Sequence, residues 1–367
     1  MRSRNYRRSI TLFSLITIIL LCFFSVKMLT ANKKPIPTSV NEPDLSTSAK
    51  ITMAGDFLIH SPIMRTAKTS NVYDFTKFFT QMKPYIDGDL NICNFEGPAD
   101  VSRPPSSYPC FNYPAGLIDG IKYLGFNLAI TANNHAYDKG FSGLKATIDN
   151  LDKKDLEHIG TYKTKEDYNN ECYVKNLNGI KVGVVAWSAL DNGISVGTKY
   201  AMRKFNQDKI ADCDKIIEDV DKLRENGTEV VIVAVHWGVE YQDKPYSGQV
   251  RYAKKLAEAG VDIIMGGHPH CVQPMETITN SETGKECYVY YSLGNFFADQ
   301  IALNKAKTQY GMLGIVDLIR DKDGKLSIKP SYKATTTIKS GGKYTLKVAE
   351  KGSLAYRHVA KVNSGVK

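Results

Sequence analysis

Five of the seven histidines in this 367-residue chain lie in short polar clusters, and each cluster closes an apolar, β-branched run. The clusters are Gly55-Asp56 with His60 beyond, Asn94-Phe95-Glu96-Gly97, Asn133-Asn134-His135, His236-Trp237-Gly238 with Glu240 beyond, Gly266-Gly267-His268-Pro269-His270, and Ser292-Leu293-Gly294-Asn295. Imidazole beside carboxylate suits Zn, Mn or Fe, and many histidines with few carboxylates argue against Ca or Mg. The candidate metal ligands are Asp56, His60, Glu96, Asn134, His236, His268 and His270. His268 and His270 can both turn inward if Pro269 bends the chain. So many donors exceed one tetrahedral site, which implies two divalent transition metal ions about 3.5–4 Å apart, a pair that clamps a phosphoryl group or activates water. A lone strand-end histidine is most often a hydrogen-bonded structural residue, so the weight rests on the joint placement. Other positions stay open: His60 as ligand or as cap of a following helix, Trp237 as core filler or substrate wall, Glu240 as orienter, substrate contact or surface charge. With Asn295, Trp237 and Glu240 make up the candidate substrate contacts.

The elements that must hold these residues are legible as strand-like runs at Ile51–Ala54, Leu90–Phe95, Leu128–Ala132, Lys181–Trp187, Val230–Val235, Val261–Met265 and Cys287–Ser292. Between them lie helical patterns near 141–152, 209–223 and 248–259. The second shows Ile210, Cys213, Ile216, Ile217, Val220 and Leu223 on one face, and the third stops at Gly260, a C-cap residue. Strands alternating with helices mean an α/β fold whose sheets are covered by helices. In such folds ligands bind outside the carboxyl ends of the strands, so the six clusters converge on one rim. Met312–Arg320 and Lys325–Tyr332 flank Asp323-Gly324 and read as a hairpin.

The ends of the chain differ from the middle. The formal charge is +10, but residues 1–50 hold eight Lys or Arg against Glu42 and Asp44, and residues 333–367 hold eight against Glu350, which leaves the middle slightly acidic. Nucleic-acid binding needs a basic folded surface and is disfavoured on this ground. Arg2, Arg4, Arg7 and Arg8 precede an uncharged apolar run, Ile10 to Val26, long enough at 17 residues for a short membrane span. No small-residue cleavage site follows. The expectation is a single-pass signal anchor in the cell membrane over 1–31, its N-terminus cytoplasmic and the rest of the chain extracytoplasmic. A Pro- and Ser-rich linker is expected over 32–49, a folded domain over 50–332, and a basic tail, as peripheral strands or partly disordered, over 333–367. Of the seven cysteines Cys22 falls in the run Ile10 to Val26; the other six match no metal knuckle or small disulfide scaffold and several lie in apolar runs, so they read as buried thiols, with a bridge outside the cell left open.

The segments MAGDFLIH, NFEGP, TANNHAYDKG, AVHWGVEY, GGHPHCVQPME and YSLGNFFADQ resemble, in order and spacing, those of the CapA family of poly-gamma-glutamate capsule synthesis proteins. The resemblance covers about residues 50–300. That family is similar in turn to calcineurin-like metallophosphoesterases, which implies a metallophosphoesterase-like two-sheet sandwich flanked by helices. It also implies roles: Asp56 and His270 on a first metal, Glu96 as bridging carboxylate, Asn134, His236 and His268 on a second, and His135 as the acid that protonates a leaving group. Two departures stand out. Asp56 is followed by a histidine only at position 60 where the phosphoesterases carry Asp-x-His, and Glu96 is one methylene longer than their bridging Asp.

Two functions compete. One is a subunit for biosynthesis or export of an anionic capsule or cell-wall polymer, working with membrane subunits of a synthase. The other is a metal-dependent phosphoesterase or other hydrolase acting on a cell-envelope substrate.

Overall fold

Period-two alternation sorts the apolar residues of each strand onto two faces, and in the computed structural model both faces are covered. The structure describes residues 46–300 and 306–364. In chain order the first strands are β1 (Thr47–Leu58), β2 (Lys68–Thr69), β3 (Val72–Tyr73), β4 (Leu90–Phe95), β5 (Leu128–Ile130), β6 (Glu157–Ile159), β7 (Tyr173–Leu177) and β8 (Ile180–Ser188). They are followed by β9 (Val230–His236), β10 (Ile263–Gly267), β11 (Met275–Thr279), β12 (Glu286–Tyr290), β13 (Asn295–Ala298), β14 (Tyr310–Arg320), β15 (Leu326–Ser340) and β16 (Lys343–Val348). The helices are α1 (Ser61–Ala67), α2 (Gly116–Leu124), α3 (Gly140–Lys153), α4 (Lys165–Asn170), α5 (Cys213–Glu225), α6 (Ser247–Glu258) and α7 (Leu354–Asn363).

One sheet runs β16-β15-β14-β1-β4-β5-β6, with β13 beside the end of β1, and a second runs β11-β12-β10-β9-β8-β7. Their facing sides share one apolar core. Ile51, Met53, Ile92 and Leu128 of the first sheet pack with Val182, Val184, Ile232, Ala234, Ile263 and Met265 of the second. The intervening residues point outward into two further cores. Ala54, Phe57, Cys93 and Phe95 meet Ile63 of α1 and Leu117, Ile118 and Ile121 of α2. Val231, Val233 and Val235 meet Ile216, Val220 and Leu223 of α5 and Tyr252 and Leu256 of α6. The result is the mixed α/β arrangement read from the alternation, as two stacked sheets with helices on both outer faces.

A bulge in β1 breaks the alternation at the one place where the site needs it broken. Ala54 pairs with Cys93 and Asp56 with Asn94, which leaves Gly55 as the extra residue. Met53 faces the inner core and Phe57 the outer one, so the extra residue moves Asp56 to the inner side, where alternation alone would send it outward. Only glycine fits at position 55, because a Cβ there would stand 1.8 Å from the Gly294 carbonyl oxygen.

Several elements extend or correct the sequence reading. The expected linker over 32–49 is too long, since β1 begins at Thr47 and pairs with Arg320 of β14. The expected tail beyond 332 is part of the fold: β15 crosses that boundary without a break, β16 pairs with it, and α7 buries Ala355 and Val359 in the inner core. Gly341 and Gly342, with φ of +54° and +74°, turn β15 into β16, a two-residue hairpin turn that needs positive φ. Asn178-Gly179 does the same between β7 and β8. Among the described residues no helix is long and apolar enough to cross a membrane; the run Ile10 to Val26 lies outside them. Cys93, Cys213, Cys271 and Cys287 are buried thiols outside any disulfide, while Cys110 and Cys172 are exposed.

These contacts predict the domain boundary. Tyr344, Leu346 and Val359 are buried, and each such side chain contributes about 1.5–3 kcal/mol. A change of about 1 kcal/mol moves the midpoint of a domain this large by roughly 2–4 °C, so residues 46–332 alone should melt at least about 10 °C below residues 46–367, or without cooperativity, in a circular-dichroism melt. Equal melting of the two would contradict the assignment of residues 333–364 to the fold.

Candidate metal centre

The polar clusters meet where the carboxyl ends of both sheets come together. Asp56 Oδ1 accepts a 2.7 Å hydrogen bond from Asn94 Nδ2, and Oδ2 lies 3.1 Å from His270 Nδ1. Asn94 shares the inner face of β4 with Ile92, and its amide also reaches His236 Nδ1 at 3.3 Å. That contact leaves His236 Nε2 facing Asn134 Oδ1 at 2.9 Å and Glu96 Oε1 at 3.6 Å. Gly267 ends β10 beneath these groups, and a Cβ on it would stand 2.9 Å from Asp56 Oδ1. His268 and His270 then leave the strand with φ of +95° and +55°. Non-glycine residues in that region are strained, and here the strain turns both imidazoles into the site around Pro269.

Glu96 is the centre of the arrangement. It has zero exposure, and neither carboxylate oxygen has a hydrogen bond. Its Oε1 lies 3.6 Å from His236 Nε2 and 3.8 Å from His270 Nε2. The Tyr113 hydroxyl donates to its backbone carbonyl and fixes the turn. Donor atoms gather in three groups: Glu96 with His236 and His268, Asp56 with Glu96 and His270, and Glu240 with His268 and His270. Two donors held about 2.0–2.2 Å from one ion stand roughly 3–3.5 Å apart. The spacings here, together with the unpartnered oxygens of Glu96 and the unpartnered, buried His268 Nδ1, fit a group that binds divalent cations. Burial pushes the Glu96 carboxyl well up, helped by Asp56 and Glu240. Burial pushes His236 and His268 well down, each helped by neighbouring histidines, so both are neutral and ready to donate a lone pair.

Beside the cluster lies a cavity of about 300 Å³ whose wall includes His60, Phe111, His135, Glu240, Tyr241 and His270. His135 Nδ1 is 2.8 Å from Asp138 Oδ2, and Phe111 meets its ring edge-on at 4.7 Å. The Phe111 amide donates to the same Asp138 oxygen at 2.7 Å and holds the carboxylate still. Asn192, which accepts from the Asn134 amide at 3.1 Å, stands 3.3 Å from His135 Nδ1.

The structure therefore brings together Asp56, Glu96, Asn134, His236, His268 and His270, with His135 and Glu240 at the edge. It does not make the other three candidates ligands or substrate contacts: His60 stands at the N-cap of α1 and Trp237 is core, the alternatives left open for them, and Asn295 serves another purpose. His60 belongs to none of the donor groups. The strand ends at Leu58 and α1 starts at Ser61, so His60 is carried onto the cavity wall, its Nδ1 3.0 Å from the Leu58 carbonyl. Burial and the nearby His270 push its pKa down to about 4. Trp237 has zero exposure and is core, not substrate wall. Once His236 faces inward, the next residue must face outward, and its indole donates to the Tyr291 carbonyl at 2.9 Å. Asn295 holds His270 instead of lining the cavity: its Oδ1 is 3.1 Å from His270 Nδ1, while its amide donates to Gln300 and to the Thr308 carbonyl. Sequence reasoning passed over Asn94, Asp138 and Asn192. For Asn94 the even spacing from Ile92 was a usable signal; for Asp138, its place three residues after His135 in one turn.

Residues 50–300 match the family described as bacterial capsule synthesis protein PGA_cap. The capsule biosynthesis protein CapA of Bacillus anthracis is 28 % identical over 260 residues, which are 68 % of this chain and 60 % of that protein. The PGA biosynthesis protein CapA of Bacillus subtilis (strain 168) is 29 % identical over 181 residues, 49 % of this chain and 44 % of that protein. The match thus spans roughly half of the length of these curated relatives. Among solved structures, one described as a novel phosphatase from Mycoplasma pneumoniae is similar at a TM-score of 0.46 and 14 % identity, over 79 % of this chain and 95 % of that one.

The state of Glu96 sets a pH dependence. In the metal-free protein its raised pKa keeps a proton on a carboxylate that must lose it to bind metal, while His236 and His268 carry none to lose. Metal affinity should rise with pH, by up to about one log unit per pH unit below the Glu96 pKa, and level off above it. Calorimetric titrations of Mn²⁺ in buffers of different ionisation enthalpy would read the released proton. Binding that releases none would contradict this assignment.

Proposed function

Starting from the fact that the chain belongs to the bacterial capsule synthesis family PGA_cap, we propose that it works in the biosynthesis or export of an anionic, poly-gamma-glutamate-like capsule polymer through a hydrolase-type dinuclear metal centre. The observation that carries the reading is the pairing of an unpartnered buried carboxylate, Glu96, with a carboxylate-oriented histidine, His135, on one cavity. Asp56, Glu96 and His270 would hold one divalent ion, and Glu96, Asn134, His236 and His268 the other; Mn, Fe and Zn all suit these donors. When bound, such a pair polarises an ester or amide oxygen and acidifies water.

The chain's own residues supply the rest. Asp138 accepts from His135 Nδ1 and fixes the tautomer, so that Nε2 is the nitrogen able to pass a proton to a leaving group in the cavity. Phe111 keeps the ring from rotating, and the buried position of His135 limits water at that proton. Asn94 and Asn295 hold Asp56, His236 and His270 at their spacing. In this reading Ile10 to Val26 anchors the chain in the cell membrane with the domain outside, beside the membrane subunits of a polymer synthase. Hydrolysis of a phosphoester or similar bond in the cell envelope is the second reading, and the His135–Asp138 pair favours it, since a purely structural subunit has no use for an oriented proton donor.

The test separates chemistry from metal retention. A positioned acid is worth about 10²–10⁴-fold in rate. His135→Ala should keep its metal content and melting temperature, lose most hydrolysis of a generic phosphodiester, and fail to restore polymer in cells whose own copy is deleted. Full restoration by His135→Ala, with Asp56→Ala inactive, would show the centre to be structural.

A further inference from the structure

The two ion positions are unequally supplied. Glu96, Asn134, His236 and His268 offer four donors to one, but Asp56, Glu96 and His270 offer only three to the other. The first strand has nothing more to give. Leu58 is turned into the outer core, and His60 stays outside every donor group. The remaining group, Glu240 with His268 and His270, shares one residue with each of the other two and adds a further carboxylate. We propose that Glu240 is a third carboxylate ligand of the centre, closing it from the cavity side while Glu96 holds it from the buried side. The inference rests on the reading that this cluster binds divalent ions, and it extends that reading to a residue of the loop after β9.

The loop is built to hold Glu240 in place. Tyr241 takes a left-handed φ of +65°, and its amide donates to the Pro269 carbonyl at 2.8 Å. The turn that carries Glu240 is thereby tied to the turn that carries the two histidines. On one side Gly238 is clamped to Gln207, its amide donating to Oε1 at 2.7 Å and its carbonyl accepting from Nε2 at 3.2 Å. On the other, the buried Gln273 donates to the Gln242 and Lys244 carbonyls at 3.1 and 3.0 Å. The Tyr241 phenol lies against the Glu240 carboxylate itself, the kind of outer support that orients a ligating carboxylate. His268, a member of this group, also has its Nδ1 buried without a partner. Charge agrees: Asp56, Glu96 and Glu240 together nearly balance two divalent ions and leave a small positive excess toward the cavity, suited to an anionic reacting group.

Equilibrium dialysis against defined free Mn²⁺, read by elemental analysis, tests the assignment without any activity assay. Wild type, Glu240→Gln, Glu240→Asp and His268→Ala are compared, with melting temperature as the check on folding. Loss of a supporting contact alone costs about 10–100-fold in metal affinity, so Glu240→Gln should weaken the weaker ion by at least about 10-fold, and Glu240→Asp by less. If Glu240→Gln binds as wild type does while His268→Ala loses metal, Glu240 is not a ligand and the dinuclear centre stands without it. If His268→Ala also keeps full metal content, the metal reading itself falls and the inference with it.

Discussion

Glu96 places a carboxylate with zero exposure between two β-sheets, and neither oxygen is hydrogen-bonded. An isolated buried charge costs several kcal/mol, and the ordinary escape is to take up a proton. The surroundings of Glu96 suit a different solution. Two imidazole nitrogens approach the same oxygen at 3.6 and 3.8 Å, too far to hydrogen-bond and close enough to share a cation. Its neighbours are also tied down, the Tyr113 hydroxyl on its own carbonyl and Asn94 across Asp56 and His236. Such rigidity keeps like charges and lone pairs facing one another, which is unfavourable until something positive lies among them.

Strand parity, with one bulge and one strained turn, brings the donors to this point. β4 and β9 send every second residue inward, so Asn94 follows Ile92 and His236 follows Ala234. β1 does so only because Gly55 is an extra residue, paired against nothing and small enough for the Gly294 carbonyl. β10 stops at Gly267, and two left-handed histidines take over where the pleat ends. Asp56, Glu96 and Asn134 belong to one sheet and His236, His268 and His270 to the other, so the centre lies on the seam and ties the sheets together when filled. The same seam opens on the cavity where His135 and Glu240 stand, which joins the binding of metal to the place of reaction.

The strands that lead into the site were legible because each is an apolar run ended by a polar cluster; Leu90–Phe95 was read to the residue. Helix α5 was legible from its apolar face, α6 from its stop at Gly260 and α3 from its start at Gly140. Residue type left Trp237 open as core filler or substrate wall, and alternation through Val231, Val233 and Val235 decides for core. Of the two readings of the tail, peripheral strands is the one the structure bears out: β15 and β16 continue the first sheet, with Ala334 in the inner core and Tyr344 and Leu346 in the outer one. The bulge at Gly55 had no sequence signal beyond the glycine itself, since it depends on the approach of Gly294 from a strand far along the chain. For His60 the second of the two readings holds: it stands at the N-cap of α1, its carbonyl accepting from the Met64 amide.

A family defined by capsule synthesis, a seam of donors between two sheets and an oriented histidine on the adjoining cavity form one account, in which metal held at Glu96 is the central claim. The most direct measurement is anomalous diffraction from crystals of residues 46–367 grown with Mn²⁺ or Zn²⁺. The account predicts two peaks about 3.5–4 Å apart on either side of the Glu96 carboxylate, one beside Asp56 and His270 and one beside His236 and His268. Saturated crystals with no anomalous density there would contradict it.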